Sequence, residues 1–127
     1  MKKTAIIQFF TKQITNAANS ADLILASITY KPCVIKSIIV KSNGATTADL
    51  TSIAVYGGTS NAITFIDSTS GAKANIDAVN KQVSWTGVVL LETSKTIIMD
   101  FTGTGATAID LTVTIEYFAT VFGGYLI

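Results

Sequence analysis

The sequence contains no histidine, and all nine basic residues are lysine, so arginine is missing too. Without histidine the chain lacks the commonest general acid/base and the commonest metal ligand. A formal net charge of +1 with no arginine leaves out the basic stripe on which nucleic-acid affinity rests. The single cysteine, Cys33, can form neither an intramolecular disulfide nor a CxxC pair. Only 13% of the residues are charged, against roughly a quarter in an average soluble protein. No apolar run reaches the roughly 18–20 residues that a membrane span requires.

What remains is 127 residues, 49% of them hydrophobic. That length suits a single domain, residues 1–127, with a core large enough to need no disulfide or metal. Threonine, serine and asparagine do the wetting that charged side chains usually do. So little charge on so small a domain implies that part of its surface is buried against other chains.

The start, Met1-Lys2-Lys3-Thr4-Ala5-Ile6-Ile7, has the charge of a secretory leader, and Asn19-Ser20-Ala21 could serve as its cleavage site. Gln8, Lys12 and Gln13 interrupt the apolar stretch before about 7–15 residues accumulate, which favours an N-terminal strand or arm over residues 4–15. Candidate strands follow at 22–30, 33–42, 51–57, 62–67, 83–92, 95–101 and 107–121, rich in the β-branched and aromatic residues that suit a pleated surface. In the last, Ile109, Leu111, Val113, Ile115 and Tyr117 alternate with Asp110, Thr112, Thr114 and Glu116, giving one buried and one wet face. Ile97, Met99 and Phe101 share a face of the preceding strand. The glycines of Thr102-Gly103-Thr104-Gly105-Ala106 suggest a hairpin joining the two.

Residues 72–82 lack strand alternation. Ile76 and Val79 lie at helical spacing and Ser70 could cap the start, so a short helix or structured loop is expected there. With turns about every ten residues and no long helix, the chain reads as an all-β protein. The expected architecture is an antiparallel β-sandwich with jelly-roll-like connections.

Catalytic patterns are missing as well. Gly103-Thr104-Gly105 lacks the strand-to-helix context and the lysine of a phosphate loop. Asp49, Asp67, Asp77, Asp100 and Asp110 do not fall in the alternating cadence of a calcium loop. Ser84, Ser94 and Cys33 have no histidine to activate them. No catalytic residue, metal ligand or cofactor is assigned. Trp85 shares strand parity with Val83, Val89 and Leu91, which favours a core position over a sugar-stacking platform. The apolar tail, residues 118–127, suits either an edge strand on its own domain or a contact with a neighbouring chain.

The stretch Gln82-Val83-Ser84-Trp85-Thr86-Gly87-Val88-Val89-Leu90-Leu91, with Ala74-Asn75-Ile76-Asp77-Ala78 before it, carries a resemblance. So do Lys95-Thr96-Ile97-Ile98, Thr102-Gly103-Thr104-Gly105 and the alternating final strand. Over about residues 32–119 the chain resembles the small β-sandwich virion proteins of tailed bacteriophages, the capsid decoration, cement or head and tail accessory type. The resemblance implies a non-enzymatic structural protein, made in the host cytoplasm and incorporated in the virion. It further implies partners among its own copies, as a homo-oligomer such as a trimer, and a major capsid or other virion protein. Neither nucleic acid nor membrane is an expected partner.

Contact candidates on this reading are Ile6, Phe9 and Phe10 in the arm and Phe122, Tyr125, Leu126 and Ile127 in the tail. The alternative is a module that binds carbohydrate or a host surface through loops at one end of the sandwich. Asn43, Thr59, Asn61, Asn75 and Asn80 would then make the polar contacts.

Overall fold

A computed structural model describes residues 7–17, 22–29, 31–44, 50–103, 107–120 and 125–127. Its strands are β1 (Ile7–Ala17), β2 (Asp22–Thr29), β3 (Cys33–Ser42), β4 (Leu50–Gly57), β5 (Ile63–Ile66), β6 (Gln82–Leu91), β7 (Thr96–Gly103), β8 (Thr107–Ala119) and β9 (Tyr125–Leu126). They form a four-stranded sheet of order β1-β8-β3-β6 and a five-stranded sheet of order β5-β4-β7-β2-β9.

The pairings β1·β8, β2·β7, β3·β6 and β4·β5 are all antiparallel. They are the rungs of one long ribbon, folded back at β4–β5 and wrapped around a core, which makes an eight-stranded jelly roll. β9 adds to the free side of β2.

The expected hairpin between 95–101 and 107–121 does not form. β7 lies between β4 and β2, while β8 lies between β1 and β3 in the other sheet. Ile97, Met99 and Phe101 therefore meet Leu111, Val113 and Ile115 across the core and not along an edge. The core is completed by Ile35, Ile38 and Val40 on β3 and Ile53 and Val55 on β4, all fully buried. Both pairings of β3 shift register between Ile35 and Ser37: Lys36 is the extra residue against β8, whereas against β6 the extra residue lies on β6 at Gly87–Val88, and the irregularity adds local twist.

Residues 72–82 form a structured loop with one 3₁₀ turn, Lys73–Asn75, and no longer helix. Ser70 does not cap that turn, which has no side-chain cap; the Ser70 N–H instead donates to the Asp67 carboxylate at 2.7 Å and closes a turn upstream. Gly71 then lies directly on β4, its carbonyl accepting the Ile53 N–H at 2.8 Å. A Cβ at Gly71 would overlap the Ile53 carbonyl, so no larger residue fits there. Ile76 plugs the core, fully buried, while Val79 is 61% exposed. The two do not share a helical face.

Trp85 points inward, as its parity requires, and packs edge-on against Phe65 with centroids 4.7 Å apart and planes at 73°. Its indole also runs along its own strand over Gly87, where an added Cβ would meet the ring at 2.6 Å. An aromatic ring covering a strand glycine restores packing that the glycine alone forfeits.

Candidate functional site

Several polar groups that could have built a chemical site are spent on the fold. Asp110 on β8 accepts Gln13 Nε2 at 2.9 Å and Asn43 Nδ2 at 3.1 Å, bonds that hold its carboxyl below the usual range. Asp77 is held low chiefly by its hydrogen bond from Lys81, at 2.7 Å, and Asp67 by the Ser70 backbone N–H. Burial pushes the Cys33 thiol up, which leaves it a neutral, inert side chain. No group of three metal-ligating side chains occurs among the described residues.

The loop asparagines do not converge. Asn43 and Asn80 lie just beyond the end marked by Ser42 and Gln82, and Asn75 sits in the loop that leads there. Thr59 and Asn61 follow Gly57, which pairs with Ile97 at the opposite end of the sandwich. The expectation of one ligand-binding end is corrected accordingly. Their side chains and backbones have local work to do. Asn43 Nδ2 also donates to Thr112 Oγ1 at 2.8 Å, and Asn75 Nδ2 donates to the Ser70 carbonyl at 3.0 Å. Asn61 and Asn80 adopt positive φ, 56° and 70°, a conformation asparagine tolerates better than most residues.

The terminal candidates divide. Phe9 stands on the outer face of the four-stranded sheet, 66% exposed, while Phe10 turns inward against the core. Leu126 is only 5% exposed. It pairs with Ile28, and its N–H donates to the Tyr117 hydroxyl at 3.2 Å. The tail is thus fastened to its own domain, with further bonds between Ser27 and Ile127 at 2.7 and 3.1 Å, and Leu126 drops out of the contact set. Ile127 itself is exposed, and Tyr125 pairs through its backbone with Thr29. Ile6 and Phe122 lie outside the described residues.

A surface of which these expectations named only Phe9 stands out on the four-stranded sheet. Ile7 pairs with Phe118, Phe118 with Val34, and Val34 with Leu90, so four apolar side chains make one row across the whole outer face. Phe9 and Val88, the latter 70% exposed, add to it in the next row. Beside the row lies a shallow depression of about 540 Å³, walled by Lys36, Glu116 and Val88 and floored by Ser37, Ser84 and Thr86. The Lys36 bulge and the small hydroxyl side chains create it. The signal in the sequence is the unbroken run Val88-Val89-Leu90-Leu91. Only two of its members can face the core of a strand, so Val88 and Leu90 must face out. The row suits contact with another apolar surface.

No protein-family model matches the chain, and no curated protein sequence does. Among solved structures it is similar to a chain of the cyanophage Pam1 capsid asymmetric unit, with 13% identity over 91% of this chain and 86% of that one and a TM-score of 0.54. A chain of the acidic stable capsid of Helicobacter pylori bacteriophage KHP30 aligns with 11% identity over 93% of this chain and 98% of that one, at a TM-score of 0.49. At 13% identity the first of these establishes a common fold.

Proposed function

We propose that the chain is a non-enzymatic structural protein of a virion, of the decoration or cement type. It binds its own copies and a major capsid or other virion protein, and it stabilises the assembly after synthesis in the host cytoplasm. The observation that carries the reading is the apolar row Ile7–Phe118–Val34–Leu90 on a sheet face that the described residues leave uncovered, with Ile7 60% and Leu90 50% exposed. The jelly-roll fold held in common with a phage capsid chain supports it. Ile7 and Leu90, exposed to that extent, would each contribute about 1–1.5 kcal/mol once covered by a neighbour, before ordering costs. Phe9 extends this contact surface, and Ile127, exposed at the β2 edge of the five-stranded sheet, is a separate contact point.

The test is co-sedimentation with capsids of the encoding virus assembled without the protein. Wild type should bind at a fixed ratio of copies to capsid subunits. The Phe9→Ser/Leu90→Ser variant, altered only at exposed positions, should fold normally and lose most of that binding. A wild-type protein that ignores capsids but is retained on a glycan array would overturn the reading in favour of a carbohydrate-binding module.

A further inference from the structure

The four-stranded sheet ends in an edge, the ten-residue β6 (Gln82–Leu91), that carries neither charge nor proline, its one irregularity being the extra residue at Gly87–Val88 against β3. Among the described residues no strand pairs with its free side. Edge strands normally carry a lysine, a proline or a covering loop, because their unpaired backbone groups are templates for another strand. The other edges are guarded. β1 has Lys12 at its middle, clipped at 3.0 Å to the Ile24 carbonyl of the opposite sheet, and β5 and β9 span only four and two residues.

We propose that β6 pairs antiparallel with β6 of a second copy about a two-fold axis at Gly87, joining the two four-stranded sheets into one continuous sheet. The proposal gives a geometry to the self-contact within the virion reading above. Self-complementarity and charge at the seam's ends both suit a second copy as the occupant.

A two-fold axis sets residues near it against their own equivalents, so a charge there would repel its mate, and β6 has none. With Gly87 on the axis, Thr86 faces Val88 and Ser84 faces Leu90 on the outer side. On the inner side Trp85 faces Val89 and Val83 faces Leu91. The half-buried inner residues Val83, Trp85 and Val89 already pack on the core, so this pairing extends the core across the junction.

The same register brings exposed Glu92 of one copy beside Gln82 of the other, whose own neighbour on β3 is exposed Lys41. The symmetry makes this contact twice. A seam of about nine residues runs roughly 30 Å. One sheet thick, it falls at the low end of specific interface areas, so the dimer is concentration-dependent.

Sedimentation equilibrium over low micromolar to submillimolar protein tests the pairing, with circular dichroism verifying the fold of each variant. Wild type should move from one to twice the chain mass. Thr86→Lys/Val88→Lys sets like charges opposite each other on both sides of the axis and should raise the dimer dissociation constant at least about tenfold. Thr86→Lys/Val88→Glu sets opposite charges there and should recover dimerisation. A wild type that stays at single-chain mass overturns the proposal. So does open-ended growth in mass, or identical behaviour of the two variants. A dimer without affinity for capsids would refute the virion reading and leave the pairing intact. A wild-type monomer that binds capsids would do the reverse.

Discussion

Truncating Ile76 separates a core plug from a helical face. On a helix over residues 72–82, Ile76 and Val79 would pack together and both would matter. In the structure Ile76 is fully buried and Val79 is 61% exposed. Ile76→Ala removes three carbons, about 2.4 kcal/mol at roughly 0.8 kcal/mol each. The cavity left in a well-packed interior raises the loss to about 3–4 kcal/mol. The loop cannot slide inward to fill it, because Gly71 is bonded to β4 through Ile53 just upstream. Val79→Ala, at an exposed position, should change stability by no more than about 0.5 kcal/mol. Urea unfolding followed through the single Trp85 is the assay. With a slope of about 1.5 kcal/mol per molar, the Ile76→Ala midpoint should fall by about 2 M and the Val79→Ala midpoint by less than about 0.4 M. Equal shifts in the two variants, or an Ile76→Ala loss below about 1 kcal/mol, would refute this account of the loop.

Three further outcomes follow from the same geometry. Tyr117→Phe removes the acceptor of the buried Leu126 N–H, so stability should fall by about 1–2 kcal/mol. Amide exchange at Leu126 should quicken well before that of β8; unchanged exchange there would contradict the anchoring role. Gly87→Ala forces a Cβ against the Trp85 ring and should cost about 1–3 kcal/mol with a shift in tryptophan emission, whereas unaltered emission would mean the indole does not cover Gly87. In pH, the low carboxyls of Asp67, Asp77 and Asp110 stabilise the fold fully above about 3.9, and that contribution is lost as pH falls through their folded values. Cys33, pushed up by burial, favours the fold below about 8.5 and loses that contribution as pH rises toward its folded value. With no histidine to titrate between them, the urea midpoint should be flat from about pH 5 to 8, and a slope there would show a coupled group outside this set.

Strands were legible because their signal is local. The alternation from Ile109 to Tyr117 and the β-branched run of β3 place those elements within a residue or two of where they lie. Pairing was not, because the same glycines serve a hairpin or a crossing between sheets. In a jelly roll only the β4–β5 link keeps two successive strands side by side in one sheet. The expected hairpin at 102–106 failed for this reason, and so did the gathering of Asn43, Asn61 and Asn80 at one end.

The interaction surface was half legible. Phe9 belongs to it, but Phe118, Val34 and Leu90 become neighbours only through strand order. For Leu126 an edge strand on its own domain and a contact with a neighbour stood open, because no local signal announces that Tyr117 will bind its N–H.

Cryo-electron microscopy of intact virions of the encoding virus tests the central claim most directly. The account predicts the jelly roll at regular lattice positions, with Ile7, Phe118, Val34 and Leu90 covered by a neighbouring subunit. Particles that lack the chain, or that carry it with this row facing solvent, would contradict it.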